Sequence, residues 1–400
     1  MHELFFLPEW PPRPGGVAWI AVMLVLAVAA GEAASRWLRL PRIIGYVGAG
    51  VALGPQGVGF VDRAALGELR LFLDVALGIV LYELGSRVDL AWLRRNPWLA
   101  ATSLAESAFA FGAVLALLLV LEVAAPVAAV VAAIAAGTSP AVVTTIAREL
   151  RARGQVTDRL LLLTALDSVY VFLAVAMLYA WVGLEYRGDW MAMALHPAYL
   201  IAGSLALAAA GAALVAVARR MLPPRSDADV VIALAAIVLT VAFADALDLP
   251  VVLALLALGA LARSFDRDRA VPPATFGPVE ALAVVVLFAF TGAMLEFQVA
   301  PLAAVAGLGI VAARALGKAI GVFAFARPSG LALRKASLLA VALTPMSGLA
   351  LVMAEQAAVA YPELAPGLAL TLLAAIAILE IMGPLATRFA LSRAGEARAQ

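Results

Sequence analysis

Three charged residues lie deep inside stretches of sequence that are otherwise apolar. Arg314 and Lys318 stand four residues apart in AGLGIVAARALGKAIGVFAFA, so a helix places both on one face. The next cation after Lys318 is Arg327, about 13 Å further along a helix, which is too far for easy snorkelling to the helix end. Asp167 is the only acid in RLLLLTALDSVYVFLAVAMLYAW.

A buried aspartate opposite a buried lysine can serve one of two purposes. It can bind a cation and a proton in turn, as ion carriers do, or it can form a salt bridge that only fastens two helices. The nearby hydroxyls of Thr164 and Ser168 supply oxygen atoms, which can replace the hydration shell of an ion. Arg314 fits either a charge-compensating role at the same site or a structural role between helices.

Two stretches carry the signals of interrupted helices. Gly137–Pro140 (GTSP) and Thr344–Gly348 (TPMSG) each combine proline with glycine and hydroxyl residues inside an apolar run. Proline removes a backbone donor and clashes with the preceding turn, so we expect each helix to unwind there. A plain proline kink would explain either one alone, but a matched pair is typical of the binding site of a secondary transporter. The hydroxyls expected near an ion are those of Thr138, Ser139, Ser168, Thr344 and Ser347.

The composition places these residues in a membrane protein. Of the 400 residues 65% are hydrophobic and 14% are charged, and the mean hydropathy is +1.02, whereas soluble domains are roughly 45–50% apolar and about 25% charged. A net charge of +1 excludes a strongly basic nucleic-acid-binding protein, and the lack of cysteine excludes thiolate metal sites. With two histidines and no HExxH or GxxxxGK[ST] motif, the sequence predicts no cofactor, no resident metal and no enzyme activity.

Apolar stretches that can cross a hydrocarbon core of roughly 30 Å as helices recur along the whole chain. None shows the alternation, over about ten residues, that marks the strands of an outer-membrane barrel. The sequence therefore predicts an all-α polytopic membrane protein with about 13 transmembrane helices in the lipid bilayer. The predicted spans are 16–35, 42–60, 71–87, 98–121, 126–148, 159–184, 196–218, 229–247, 250–264, 278–295, 300–325, 334–356 and 364–388.

The charges on the connections orient these spans. Basic residues concentrate on every second connection, and together these connections carry 22 of the 28 lysines and arginines. By the positive-inside rule the N-terminus lies outside, the C-terminus lies in the cytoplasm, and the number of spans is odd. We therefore expect a multi-pass protein of the cell (inner) membrane, with an extracytoplasmic segment at 1–15, a transmembrane domain at 16–390 and a short cytoplasmic tail at 391–400.

The two interrupted helices occupy related positions in this order. They are the fifth and the twelfth predicted spans, and because the offset is odd they run in opposite directions through the membrane. Two six-helix repeats joined by the seventh span would place them at corresponding points of an inverted pair. The sequence therefore predicts inverted repeats whose two broken helices cross.

Four stretches of the chain carry motifs of a known family of membrane proteins. LPRIIGYVGAGVALGP (Leu40–Pro55) is similar to an LPxxxGxxxxGxxLGP helix, and LGIVLYELGSRVDLAWLRR (Leu77–Arg95) to an LGxxxxxFxxGLExDxxxLRR helix. GTSPAVVTTIAREL (Gly137–Leu150) resembles an unwound helix, and KAIGVFAFAR (Lys318–Arg327) a helix that bears a lysine. The family is the monovalent cation:proton antiporter-2 family, within the wider sodium/proton exchanger superfamily. The resemblance extends from the second span to the end of the chain.

The resemblance implies a fold, an activity and roles for individual residues. It implies an antiporter with a core domain that carries the ion and a scaffold domain through which the protein forms a homodimer. It implies that Lys318 faces the ion site. The crossover helices would carry Thr138 and Ser139 on the first and Thr344–Gly348 on the second. Asp167 then belongs to the acidic pair that binds the ion.

The acidic pair departs from the pattern of the family. Relatives carry Asp-Asp, or Asn-Asp or Gln-Asp, whereas this chain has Leu166, Asp167 and Ser168. If Asp167 is the second member, the ion-binding carboxylate is kept and leucine replaces the first member. If it is the first, Ser168 replaces the ion-binding acid and Asp167 only pairs with Lys318. We therefore expect exchange of one ion per proton, or an altered ion preference, rather than two-proton exchange.

The sequence as a whole predicts a secondary active transporter that exchanges protons for Na⁺ or K⁺ by alternating access. Deprotonated Asp167 would bind the cation, Ser168 and the crossover helices would supply further ligands, and Lys318 would compete for the carboxylate. Two alternatives are a non-exchanging relative, such as a cation channel or a sensor protein, and an organic anion transporter that uses Lys318 or Arg314. The other embedded acids are interpreted as structural: Glu83, Glu106, Asp245, Glu355 and Glu380.

Overall fold

The chain is an assembly of α-helices. In the computed structural model, sixteen helices and no β-strand occur among the described residues. Helices suit this apolar sequence because they pair backbone N–H and C=O groups within one segment, which a membrane requires. The described residues are 17–68, 70–88, 90–187, 190–221, 226–265, 276–295, 301–346, 350, 353 and 365–397.

The helices are numbered here in chain order. The first eight are α1 (Val17–Trp37), α2 (Arg42–Leu53), α3 (Arg63–Glu68), α4 (Arg70–Arg87), α5 (Leu90–Arg95), α6 (Pro97–Val120), α7 (Ala125–Ala136) and α8 (Pro140–Glu149). The second eight are α9 (Gln155–Arg187), α10 (Trp190–Met221), α11 (Ser226–Ala246), α12 (Val251–Phe265), α13 (Pro278–Met294), α14 (Pro301–Ala326), α15 (Leu333–Ala342) and α16 (Ala365–Arg393).

The predicted spans and the helices agree closely. Each predicted stretch coincides with a helix or a pair of helices, and the short helices α3 and α5 lie between them. Among the described residues, eight spans are long and apolar enough to cross a membrane, and α2, α12 and α13 are shorter apolar helices. The all-helical, multi-pass architecture is thus confirmed, and the number of thirteen crossings stays a prediction.

The first predicted interruption divides one span into two helices. α7 ends at Ala136, the backbone is extended at Gly137, and α8 begins at Pro140, whose missing N–H costs nothing at the start of a helix. The Ser139 hydroxyl accepts a hydrogen bond from the Val142 N–H at 3.4 Å and so caps α8. The helix restarts at this point because proline and a serine cap favour a helix start.

The second interruption meets the first. α15 ends at Ala342, and residues 343–346 do not continue the helix. The Ser139 N–H donates to the Pro345 carbonyl at 3.1 Å, so the two unwound segments are in direct contact. The predicted crossing of two broken helices is confirmed at this contact, whereas Ser347 and Gly348 lie outside the described residues.

Two groups of helices pack mainly among themselves. α6–α9 pack with α14–α16 around the two interruptions, and α1, α2 and α4 pack with α10–α13. Contacts of α9 with α10 and α12, of α4 with α8 and α9, and of α16 with α2 join the groups. The first group carries Thr138, Asp167, Arg314 and Lys318, the residues that sequence analysis singled out.

Within the first group, α6 and α14 approach each other at backbone distance. A Cβ atom on Gly317 would lie 2.4 Å from the Phe109 carbonyl oxygen, and one on Gly321 would lie 2.3 Å from the Glu106 Cα. Small residues spaced four apart let membrane helices come together in this way. Because Lys318 follows Gly317 directly, this contact brings Lys318 and Glu106 to the same depth.

The segment that follows α16 returns to the first turn of α9. One oxygen of the Glu396 carboxylate accepts the Val156 N–H at 2.9 Å, and the other accepts the Thr157 N–H at 2.8 Å and the Thr157 hydroxyl at 2.9 Å. The first N–H groups of a helix have no partner within it, and this end of a helix favours negative charge. Glu396 therefore caps, from a distant part of the chain, the helix that carries Asp167.

Glu396→Ala is expected to lower the melting temperature of the purified protein in detergent, because two N–H groups and a hydroxyl lose their acceptor. The loss corresponds to about 1–2 kcal/mol of the free energy of unfolding. Arg327→Ala, at an exposed position in the loop after α14, is the control and should shift the free energy by less than about 0.5 kcal/mol. Equal melting temperatures for the two variants would contradict the capping role.

Candidate ion-binding site

The Asp167 carboxylate lies where α6, α9, α14 and the first interruption meet. Its Oδ1 accepts the Ser107 hydroxyl at 2.5 Å, and its Oδ2 accepts the Thr138 hydroxyl at 2.7 Å and the Lys318 ammonium at 2.9 Å. The exposed fraction of the residue is 0%. Asp167 is therefore a fully enclosed carboxylate held by side chains from three other segments.

Lys318 joins Asp167 to a second acid. Its Nζ lies 2.5 Å from Glu106 Oε2 as well as 2.9 Å from Asp167 Oδ2. Glu106, like Asp167, is completely buried, and Lys318 is 1% exposed. Charged groups without access to water are stable only when they are paired. The three side chains thus form one ionic unit, which we call the Glu106–Lys318–Asp167 triad.

The triad holds fewer positive than negative charges. With all three groups ionised it carries two negative charges and one positive, so a net charge of −1 is enclosed in protein. Glu106 Oε1 is buried and accepts no hydrogen bond from the described residues. Because an uncompensated charge in a low-dielectric interior is costly, the site favours one further positive charge, either a proton or a monovalent cation.

Arg314 binds backbone rather than side chains. Its guanidinium donates to the carbonyls of Ala135 and Gly137, at the end of α7, at 2.7 and 2.8 Å. It also donates to the three carbonyls of Leu343–Pro345, which follow α15, at 3.1, 2.6 and 3.0 Å. The last carbonyls of a helix have no partner within it and carry the negative end of its dipole. Arg314 therefore compensates the ends of both interrupted helices at once.

The candidate residues of the first interruption have separate tasks. Thr138 donates its hydroxyl to Asp167 and belongs to the immediate surroundings of the carboxylate. Ser139 caps α8 with its hydroxyl and contacts the second interruption through its N–H. Of this pair, only Thr138 has its hydroxyl on the carboxylate.

The other candidate hydroxyls bond to backbone. Ser168 Oγ donates to the Thr164 carbonyl at 3.0 Å, on its own helix, and Thr344 Oγ1 donates to the Val341 carbonyl at 2.6 Å. Neither hydroxyl is placed on the Asp167 carboxylate. Thr344 contributes its carbonyl to the Arg314 contacts instead, and Ser347 lies outside the described residues.

Two members of the site, Glu106 and Ser107, were not among the predicted site residues. Both lie on α6, and Glu106 was interpreted from sequence as a structural acid. The contact with the Lys318 ammonium places it in the site instead. The sequence signal for these two residues is an acid directly followed by a serine, eight and nine residues after the start of the predicted span 98–121.

The chain matches known proteins in sequence and in structure. The profile of the family described as sodium/hydrogen exchanger, transmembrane, matches residues 21–392. A structure of the sodium proton antiporter MjNhaP1 from Methanocaldococcus jannaschii at pH 8 has 15% sequence identity and a TM-score of 0.67, over 94% of this chain and 95% of that one. A structure of the same antiporter from an electron-microscopy map has 16% identity and a TM-score of 0.73, over 96% and 100%. No curated protein matches the sequence.

Proposed function

The chain belongs to the sodium/hydrogen exchanger family, and on this premise we propose that it exchanges protons for a monovalent cation, Na⁺ or K⁺. Members of this family are membrane transporters that act on cations and protons. We propose further that exchange proceeds by alternating access, with the Asp167 carboxylate as the shared carrier. The observation that carries the proposal is the complete burial of this carboxylate beside the crossing of two interrupted helices.

The surroundings of Asp167 suit a dehydrated cation. The deprotonated carboxylate offers two oxygens, and the hydroxyls of Ser107 and Thr138, which donate to it, can turn to offer their lone pairs to a cation. Such oxygens replace the hydration shell that an ion loses when it enters a buried site. Protonation removes the charge of the carboxylate, so the cation leaves on the side to which the site is then open.

Lys318 controls the competition for this carboxylate. Its ammonium occupies a place 2.9 Å from Asp167 Oδ2 that a bound cation also needs. A cation that binds there displaces this contact, while the contact with Glu106 at 2.5 Å remains. The second carboxylate thus keeps the ammonium paired when Asp167 turns to the ion.

The two packed groups of helices fit the two moving parts of such a cycle. We propose that α6–α9 with α14–α16 form the core domain, and that α1, α2 and α4 with α10–α13 form the scaffold. Contacts between the groups are fewer than those within each group, and the largest of them joins the consecutive helices α9 and α10, which is compatible with a relative motion. A homodimer through the scaffold rests on the family resemblance. A location in the inner membrane, with the N-terminus outside and the C-terminus cytoplasmic, rests on the loop charges.

Transport of an organic anion is less well supported by the described site. Lys318 is held by two carboxylates, and Arg314 by five carbonyl groups. An anion would have to displace these bonds and would be repelled by Glu106 and Asp167. The site geometry therefore favours a cation.

Reconstitution into liposomes tests the proposed exchange. Purified protein is placed in liposomes with an acidic interior and a trapped pH-sensitive dye, and NaCl or KCl is added outside. We expect the internal pH to rise at a rate that saturates with cation concentration, because each cation that enters releases protons. Choline chloride and protein-free liposomes are the controls.

Absence of a cation-dependent pH change with both Na⁺ and K⁺ would contradict the proposal. Cation flux without proton movement would indicate a channel on the same fold instead.

A further inference from the structure

We infer that Glu106 is a second functional carboxylate of the ion site, whose negative charge makes the exchange of one proton for one monovalent cation electrically neutral. This inference rests on the proposed function, because it assigns a further residue to the same site. The second acid is supplied by α6, a different helix from the one that carries Asp167. Leu166 does not supply a member of the acidic pair that relatives carry. The second carboxylate of the site comes instead from Glu106, which is distant from Asp167 in sequence.

Backbone packing holds Glu106 in this place. The backbone of Glu106 lies directly against Gly321 of α14, one turn from Lys318 on the same helix. From there its Oε2 reaches the Lys318 Nζ at 2.5 Å, a shorter contact than the one that Lys318 makes with Asp167. The two carboxylates therefore share a single ammonium, and both are fully enclosed by protein.

Counting charges gives the functional consequence. The empty and fully ionised triad carries a net charge of −1, and either one proton or one monovalent cation brings it to zero. The proton can reside on Asp167 or on Glu106, while Lys318 keeps its own proton throughout. One proton therefore leaves for each cation that binds, and a complete cycle moves no net charge across the membrane.

Arg314, one turn from Lys318, does not alter this count. Its positive charge faces the carbonyl ends of α7 and of α15, and each helix C-terminus carries roughly half a negative charge. The backbone therefore offsets the charge of Arg314, and the negative charge of the triad is left for the ion.

Removal of the Glu106 charge changes the balance. In Glu106→Gln the empty site holds only Asp167 and Lys318 as charged side chains and is already neutral. A bound cation would then bring a net charge of +1 into a fully buried site, which is strongly unfavourable unless Lys318 loses its proton. The variant must therefore either stop exchanging or take the exchanged proton from Lys318, which keeps its proton in the wild type.

Two readouts on the same proteoliposomes test this inference: the rate of the cation-driven pH change and the current recorded on a solid-supported membrane. Wild-type protein should exchange without net current. Glu106→Gln should lower the exchange rate about a hundredfold, because the cation can then bind only if Lys318 loses its proton, and Glu106→Asp should recover the wild-type rate. Glu380→Gln is the matched control, because Glu380 is 2% exposed and lies outside the triad; it should behave like the wild type.

A net current from the wild-type protein would overturn the inference, and this measurement depends on no variant. A Glu106→Gln variant that exchanges at the wild-type rate would also overturn it. Asp167→Asn distinguishes a failure of the role assigned to Glu106 from a failure of the proposed carrier. If Asp167→Asn is inactive and Glu106→Gln is normal, only the role of Glu106 is wrong. If Asp167→Asn exchanges normally, the proposed carrier is wrong.

Discussion

Liposomes that contain Asp167→Asn are expected to change their internal pH in response to Na⁺ or K⁺ about a hundredfold more slowly than the wild type, or not at all. Asparagine has nearly the same shape as aspartate, and its Oδ1 can still accept the Ser107 or the Thr138 hydroxyl. It can neither release a proton nor balance the charge of a cation. The expected loss is therefore one of ion chemistry rather than of fold.

Asp158→Asn provides the control for this loss. It is the same chemical change on the same helix, at an exposed position in the first turn of α9. We expect it to exchange at close to the wild-type rate, while both variants elute from size-exclusion chromatography like the wild type. Asp167→Asn protein that exchanges as fast as Asp158→Asn would show that another group carries the ion.

Much of the fold is predictable because its signals are local. A run of about 20 apolar residues specifies a membrane helix whatever lies around it. The interruptions at Gly137–Pro140 and Thr344–Gly348 are equally local, since proline removes a donor from its own helix. Their contact, Ser139 N–H to the Pro345 carbonyl, follows from the repeat symmetry that the order of the spans indicates.

The surroundings of Asp167 are less predictable because neighbours in sequence point in different directions on a helix. Ser168 follows Asp167 directly, but residues i and i+1 do not face each other. Its hydroxyl bonds to the Thr164 carbonyl four residues earlier, as serine commonly does within helices. Thr138, which is distant in sequence, supplies the hydroxyl that reaches the carboxylate.

Glu106 could not be assigned from sequence because its role depends on a contact between two helices. An acid in an apolar span is costly, which indicates a partner but does not identify it. The partner is determined by the close approach of α6 and α14 at Gly317 and Gly321. This contact joins residues more than two hundred positions apart, and no local pattern specifies it.

Arg314 and Lys318 share a helix face, as their spacing predicts, yet they serve different partners. Lys318 is a compact point charge and pairs with two carboxylates. The planar guanidinium of Arg314 presents its N–H donors in a fixed fork, and five carbonyl oxygens surround it: one accepts from Nε, one from Nη1, and three share the N–H groups of Nη2. The type of each cation, rather than its spacing, indicates which of the two holds the backbone.

Arg314→Met is expected to destabilise the protein severely. Methionine fills a similar volume but leaves the terminal carbonyls of α7 and the carbonyls of Leu343–Pro345 without donors in a buried site. We expect the free energy of unfolding to fall by about 3–5 kcal/mol, a large share of the stability of a typical protein. The measurement is the melting temperature in detergent, together with the yield of monodisperse protein. Arg334→Met, at an exposed position in the first turn of α15, is the control.

Arg314→Lys separates the charge of this residue from its geometry. Lysine keeps the positive charge near the two helix ends, but its three N–H donors cannot serve five carbonyls. If the melting temperature of Arg314→Lys lies between those of Arg314→Met and the wild type, the charge and the hydrogen bonds of Arg314 both contribute to stability. If Arg314→Met had the same melting temperature as the Arg334→Met control, the carbonyls at the crossing would have other hydrogen-bond donors. Arg314 would then not be what holds the two broken helices together beside the carboxylate.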